Sequence, residues 1–193
     1  MLDFTFQNPT KVIFGKDKIR HVADEIPRGT RVMITCGEAS AEKYGVLDEV
    51  REACTGHQIT EFEGISPNPE YEMLLTGVEL ARRKKIDYLL AVGGGSVIDG
   101  TKFIAAAVQS DEEPSSLLEN AGAGILRALP VGCVVTLPAS GSEANNRAVI
   151  SRRAYLQKTM IANDRLFPRF AILDPSKTFT LPPSRSPAVS PRN

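Results

Sequence analysis

An α/β fold, wound on both faces of an open parallel sheet, is what the sequence predicts, and three observations carry that expectation. Apolar runs of strand length alternate with stretches of helical periodicity, and parallel neighbours need such crossover helices. Two of those runs, residues 89–92 and 133–136, are continuously apolar, which suits strands buried on both faces. One of them leads directly into three consecutive glycines and then a helix, a strand–turn–helix join at the carboxyl end of a strand.

The elements follow in order. Residues 3–6 and 11–14 read as short strands around Gln7-Asn-Pro9. Gly15 breaks the chain before an amphipathic helix over residues 17–25, marked by Ile19, Val22 and Ile26. Residues 31–35 form the next apolar run, and Val46, Leu47, Val50 and Cys54 mark a second helix. Residues 58–62 alternate like a strand, and Ser66-Pro-Asn-Pro69 is a loop signal. A helical stripe through Tyr71, Leu74, Leu75, Val78 and Leu80 ends in four basic residues, 82–85, suited to a helix carboxyl end. A strand over 87–92, the glycines, and a helix from Ser96 to about Val108 come next. After Thr136 the pattern loosens into a Pro-Ala-Ser-Gly-Ser-Glu turn, a hairpin through 149–151 and a last strand over 170–173.

Composition excludes several classes. Of 193 residues, 42% are hydrophobic and 24% charged, as in a globular domain. The 23 Lys and Arg balance 23 Asp and Glu, so no basic excess points to nucleic acid. No apolar run is long enough for a bilayer and no signal peptide is evident at the amino terminus. Three cysteines without a Cys-x-x-Cys pair argue against a disulfide frame or zinc knuckle, and a cytoplasmic protein is expected.

The chemistry concentrates in three turns. In Leu89-Leu-Ala-Val-Gly-Gly-Gly-Ser-Val-Ile-Asp99, Gly93, Gly94 and Gly95 permit positive φ and close approach of a ligand to backbone. Ser96 and Asp99 stand at capping-box spacing, and the helix start favours a phosphate. A tight turn that binds nothing is the alternative. Thr35-Cys-Gly-Glu-Ala-Ser40 follows an earlier strand where a ribose or its phosphate would sit, and a plain loop competes with that reading. Thr136-Leu-Pro-Ala-Ser-Gly-Ser-Glu143 offers hydroxyls from Thr136, Ser140 and Ser142 to a pyrophosphate or carboxamide, or else caps a helix. His21 and His57, the only histidines, read as surface residues, and no metal-ligand spacing can be assembled.

Taken together, these stretches resemble the iron-containing (group III) alcohol dehydrogenases, most closely the butanol-dehydrogenase and aldehyde-reductase branch. The carriers are Asn8-Pro-Thr-Lys-Val-Ile-Phe-Gly15, Gly64-Ile-Ser-Pro-Asn-Pro69, Ala91-Val-Gly-Gly-Gly-Ser-Val-Ile-Asp-Gly-Thr-Lys102, Thr136-Leu-Pro-Ala-Ser-Gly-Ser-Glu143, Ala171-Ile-Leu-Asp-Pro175 and Thr180-Leu-Pro-Pro183. The resemblance implies a Rossmann-like dinucleotide-binding domain over 1–183, without the family's all-helical metal domain. Residues 184–193 read as a tail foreign to it, with Arg192 about where an Asp ligand is expected.

By the same resemblance, Gly93, Gly94, Gly95 and Ser96 meet the pyrophosphate, and Asp99 lies near the nicotinamide ribose. Thr136, Ser140 and Ser142 sit around nicotinamide and phosphates, Lys158 reaches the ribose, and Gly37, Glu38 and Ser40 meet the adenosine ribose. A long turn with Ser40 favours NADP; Glu38 keeps NAD as the alternative. The family's divalent metal, Fe or Zn, is expected to be absent here. The implied reaction is hydride transfer between nicotinamide and a small alcohol or aldehyde, weak or missing without the metal domain, in a homodimer paired through residues 3–6. A non-catalytic, dimerising nucleotide-binding module is the rival reading. A relative of glycerol dehydrogenase or dehydroquinate synthase is disfavoured by the Asp-Gly-Thr-Lys and Leu-Pro-Ala-Ser-Gly-Ser-Glu wording.

Overall fold

The computed structural model describes residues 3, 5, 7–37 and 45–178. Its centre is a six-stranded sheet in the order β1, β8, β5, β4, β2, β3, with every neighbouring pair parallel. The strands are β1 (Lys11–Phe14), β2 (Arg31–Cys36), β3 (Gln58–Phe62), β4 (Tyr88–Gly94), β5 (Val131–Leu137) and β8 (Phe170–Leu173). A separate antiparallel hairpin joins β6 (Arg147–Arg152) to β7 (Gln157–Ala162).

Side-chain alternation along the strands divides the core in two, because successive residues point to opposite faces. Met33, Leu89, Ala91, Cys133, Val135 and Ala171 pack on one face under α2 (Tyr71–Lys84), α3 (Gly95–Val108) and α4 (Ser115–Glu119). Val32, Ile34, Leu90, Val92, Val134 and Ile172 face the other way, under α1 (Val46–Ala53) and a 3-10 helix over Ile19–Glu25. Both faces are covered, which is why β4 and β5 read as unbroken apolar runs. The two connections that leave the adjacent strands β2 and β4 go to opposite faces, α1 to one and α3 to the other. A crevice therefore opens between the carboxyl ends of β2 and β4, the switch point of a doubly wound sheet.

Several sequence expectations change here. The first amphipathic segment is a 3-10 helix and not an α-helix; its buried Ile19 and Val22 lie three apart, matching three residues per turn. Asp3 and Thr5 carry no strand, and Phe4 and Phe6 lie outside the described residues. The short α4 was not anticipated; it buries only Leu117 and Leu118, too few positions to show a period. The tail at 184–193 also lies outside the described residues.

Candidate cofactor site

The glycine turn owes its shape to crowding. None of Gly93, Gly94 and Gly95 adopts positive φ; Gly94 is extended, with φ −91° and ψ −169°. This corrects the expectation from sequence. A Cβ on Gly93 would lie 2.6 Å from Val97 Cγ2, and one on Gly94 would lie 3.2 Å from Leu137 Cβ. A Cβ on Gly95 would overlap the Ser140 hydroxyl. The glycines are needed because β4, β5 and the start of α3 converge where side chains have no room.

The ladder between β4 and β5 shifts register at this point. Gly93 pairs with Val135 and Gly94 with Leu137, which leaves Thr136 as the extra residue of a bulge beside the turn. Beyond β5, Ser140 donates from its hydroxyl to Ser142 Oγ at 3.0 Å and accepts from the Ser142 amide at 3.2 Å. Gly37 ends β2 on the other side of the crevice, where an added Cβ would stand 3.2 Å from the Ile65 carbonyl and 3.7 Å from Val97 Cγ2. Gly37, the three glycines, Thr136, Ser140 and Ser142 thus gather at one end of the sheet. Glu38 and Ser40 lie outside the described residues.

No capping box forms. The residue before α3 is Gly94, with no side-chain cap. Ser96 Oγ instead accepts the Asn68 amide at 3.3 Å, and Asp99 Oδ2 accepts the Val149 amide at 3.0 Å. Both side chains are drawn into tertiary bonds with neighbouring loops, so the first amides of α3 keep no protein side-chain cap. Asp99 Oδ1 is buried without a hydrogen-bond partner, and burial pushes the carboxyl pKa up against the pull of the Val149 amide and the nearby Ser142 hydroxyl. An acceptor left in that condition is expensive unless a donor arrives.

Lys158, exposed on β7, donates to Asn68 Oδ1 at 2.8 Å, which brings the hairpin to the same end of the sheet. Asn68 had been only part of a loop signal. It holds φ +59°, a left-handed conformation Asn tolerates, and so directs its amide to Ser96 and its carboxamide to Lys158. Lys102, in the sequence only the last residue of the motif over 91–102, also belongs to this site. Its side chain is fully buried, with Nζ 2.7 Å from the Ser142 carbonyl, 2.7 Å from the Asn145 carbonyl, 2.9 Å from the Arg147 carbonyl and 3.1 Å from Asn145 Oδ1. Burial pushes its pKa down to about 8. The available signal was a lysine three residues after Asp99 in a helix whose other residues carry no charge, since lysine is almost never fully buried without a specific partner.

Among the described residues no group of three or more His, Cys, Asp or Glu could hold an ion. No helix among them is long and apolar enough to cross a membrane.

Comparison with known proteins shows the family. The profile of the iron-containing alcohol dehydrogenases matches residues 9–175. The chain is 49% identical over 185 residues to the NADPH-dependent aldehyde reductase YqhD of Escherichia coli, covering 95% of this chain and 48% of that protein. It is 37% identical over 191 residues to NADH-dependent butanol dehydrogenase A of Clostridium acetobutylicum, covering 97% and 49%. The crystal structure of E. coli YqhD superposes with a TM-score of 0.91 at 48% identity, over 95% of this chain and 47% of that one. The butanol dehydrogenase of Thermotoga maritima superposes with a TM-score of 0.89 at 34% identity, over 95% and 47%. The chain spans about half the length of the relatives it matches. It belongs to the iron-containing alcohol dehydrogenase family.

Proposed function

We propose that this chain binds NADP(H) across the crevice between β2 and β4 and serves as the cofactor-binding half of an alcohol or aldehyde dehydrogenase. The observation that carries this reading is the convergence of the glycine turn, the serine turn and the uncapped start of α3. Amides at a helix start attract anions, and glycines put no side chain of their own between those amides and a pyrophosphate. Gly94, Gly95 and Ser96 would bond that pyrophosphate, with Ser140 and Ser142 on its other side. Asp99 Oδ1 lacks a donor and would accept one from a ribose hydroxyl; Lys158 and Thr136 would flank the nicotinamide end. Once bound, the dinucleotide supplies a hydride for a small aldehyde or accepts one from the alcohol. NADP is preferred to NAD because the 49%-identical relative is named as NADPH-dependent, although several other relatives are named as NADH-dependent. The family's metal does not fit the described residues, and no step is assigned to it.

A homodimer is part of the same proposal. Among the described residues β1 lies at the sheet edge, with Val12 55% and Phe14 68% exposed, so a strand edge and apolar side chains are offered to a second copy together.

Fluorescence titration with NADPH and NADH tests the binding, and reduction of a short aldehyde tests turnover. Saturable binding in the micromolar range with tighter NADPH is expected. Binding without turnover would make the chain a nucleotide-binding module, and no saturation below millimolar cofactor would overturn the reading.

A further inference from the structure

An ammonium removed from water needs compensation; Asp99, one turn earlier on the same helix, supplies opposite charge, and the hydrogen bonds of Lys102 Nζ go to one place. Its three N–H bonds are shared among four neutral oxygens, all within residues 142–147. That stretch leads from the serine turn into β6. Ser142, whose carbonyl Lys102 holds, is tied to Ser140 by two hydrogen bonds, and the Ser140 hydroxyl lies where a Cβ of Gly95 would be. Asn145 reinforces the arrangement: its Nδ2 donates to the Gly141 carbonyl while its Oδ1 faces Lys102. One turn earlier on the same helix, Asp99 secures the Val149 amide of β6. A continuous path therefore runs from the buried ammonium, through Ser142 and Ser140, to the glycine turn.

We propose that Lys102 is a positioning residue for dinucleotide binding, setting the serine turn at the separation from the glycine turn that a bridging pyrophosphate requires. Lys102 does not touch the dinucleotide; it acts through Ser142 and Ser140. This rests on the dinucleotide reading above. Carbonyls converging from one loop suit an ammonium, whose donors radiate from a single atom and replace the several backbone bonds that an irregular turn lacks.

A double-mutant cycle on the full 193-residue chain decides it, with NADPH affinity and a melting curve for wild type, Lys102→Met, Ser140→Ala and the double variant. Lys102→Met is expected to weaken NADPH roughly tenfold or more in the wild-type background, and less than about threefold once Ser140 is gone, because the relay is already cut. Equal losses in both backgrounds, or a lower melting temperature with unchanged affinity, would overturn the proposal and leave Lys102 a purely structural group. If Lys102→Met does not fold, Asn145→Ala takes its place; unchanged affinity there would overturn the proposal, and a loss of about threefold or more that shrinks in the Ser140→Ala background would support it. Absence of saturable NADPH binding by wild type would instead overturn the dinucleotide reading, and this proposal with it.

Discussion

The two ends of the sheet present different chemistry, and α3 runs from one to the other. At the carboxyl end, where α3 begins, close-packed glycine backbone meets a helix start without a side-chain cap, with buried polar groups around it. At the amino end, where α3 finishes, the lining of an open cleft of about 1140 Å³ includes the half-buried Gln109 and the exposed Arg127, Arg165 and Arg169. That cleft is the weaker candidate. A helix directs positive partial charge from its first turn and negative from its last, so the dipole of α3 favours a phosphate at the glycine turn and opposes one at the cleft. The arginines there are solvated, and exposed cations of this kind contribute little without an enclosing site. Concavity alone does not locate function; crowded backbone with an unsatisfied acceptor beside it is the better guide.

The largest expected effect is at Gly94. Its extended backbone accepts any residue, and Leu137 need give by only a few tenths of an ångström. Gly94→Val is therefore expected to leave the fold nearly intact while the branched side chain fills the pyrophosphate space, weakening NADPH by roughly a hundredfold. The contrasting glycine is Gly132 in β5, where an added Cβ would run into the Phe170 ring. Gly132→Ala should cost about 1–3 kcal/mol of stability by overpacking, with the affinity of the folded fraction unchanged. Melting curves paired with NADPH titrations of both variants check the pair; similar profiles would erase the distinction between a site glycine and a packing glycine.

A smaller effect concerns the buried charge at Lys102. Its folded pKa, about 8, lies below the ordinary 10.5, so between those values the unfolded chain binds more protons and stability rises with pH. Cys54 and Cys133 oppose this above pH 9, because burial pushes their thiols up to about 11 and about 12. The informative quantity is the melting temperature of wild type minus that of Lys102→Met, which should increase from pH 7 to 9. A flat difference would show that folding leaves the Lys102 pKa at its ordinary value.

The smallest effect tests the other end of the sheet. Arg165→Ala combined with Arg169→Ala should change NADPH affinity by less than about twofold, since exposed, unenclosed charges couple weakly to a site at the far end of the sheet. A tenfold loss in the same titration would move the phosphate site to the amino end.

How much of this was legible in advance follows the range of the interactions. Apolar runs placed β2 and β4, alternation placed β3, and helical periodicity placed α2, because the faces an element buries set the local pattern of its apolar residues. The basic run at 82–84 falls in the last turn of α2 as expected. The glycine turn was legible because three consecutive glycines are unusual, yet its reason was not: left-handed backbone was expected, and steric contact with Val97, Leu137 and Ser140 was found. Ser96 and Asp99 matched a local capping pattern, and distant partners, Asn68 and Val149, took both side chains instead.

By itself, then, the sequence determined the α/β class, the order of the main strands and helices, and the turns that could face a phosphate, since each depends on residues near one another in the chain. Only the tertiary structure decided the strand order that opens the crevice between β2 and β4, the meeting of Gly95 with Ser140, and the enclosure of Lys102 by residues 142–147. Those arise from contacts across 40 or more positions at Lys102 and Ser142, and 90 at Asn68 and Lys158. No local period records such contacts; they exist because burying both faces of one sheet brings the loops at its carboxyl end together.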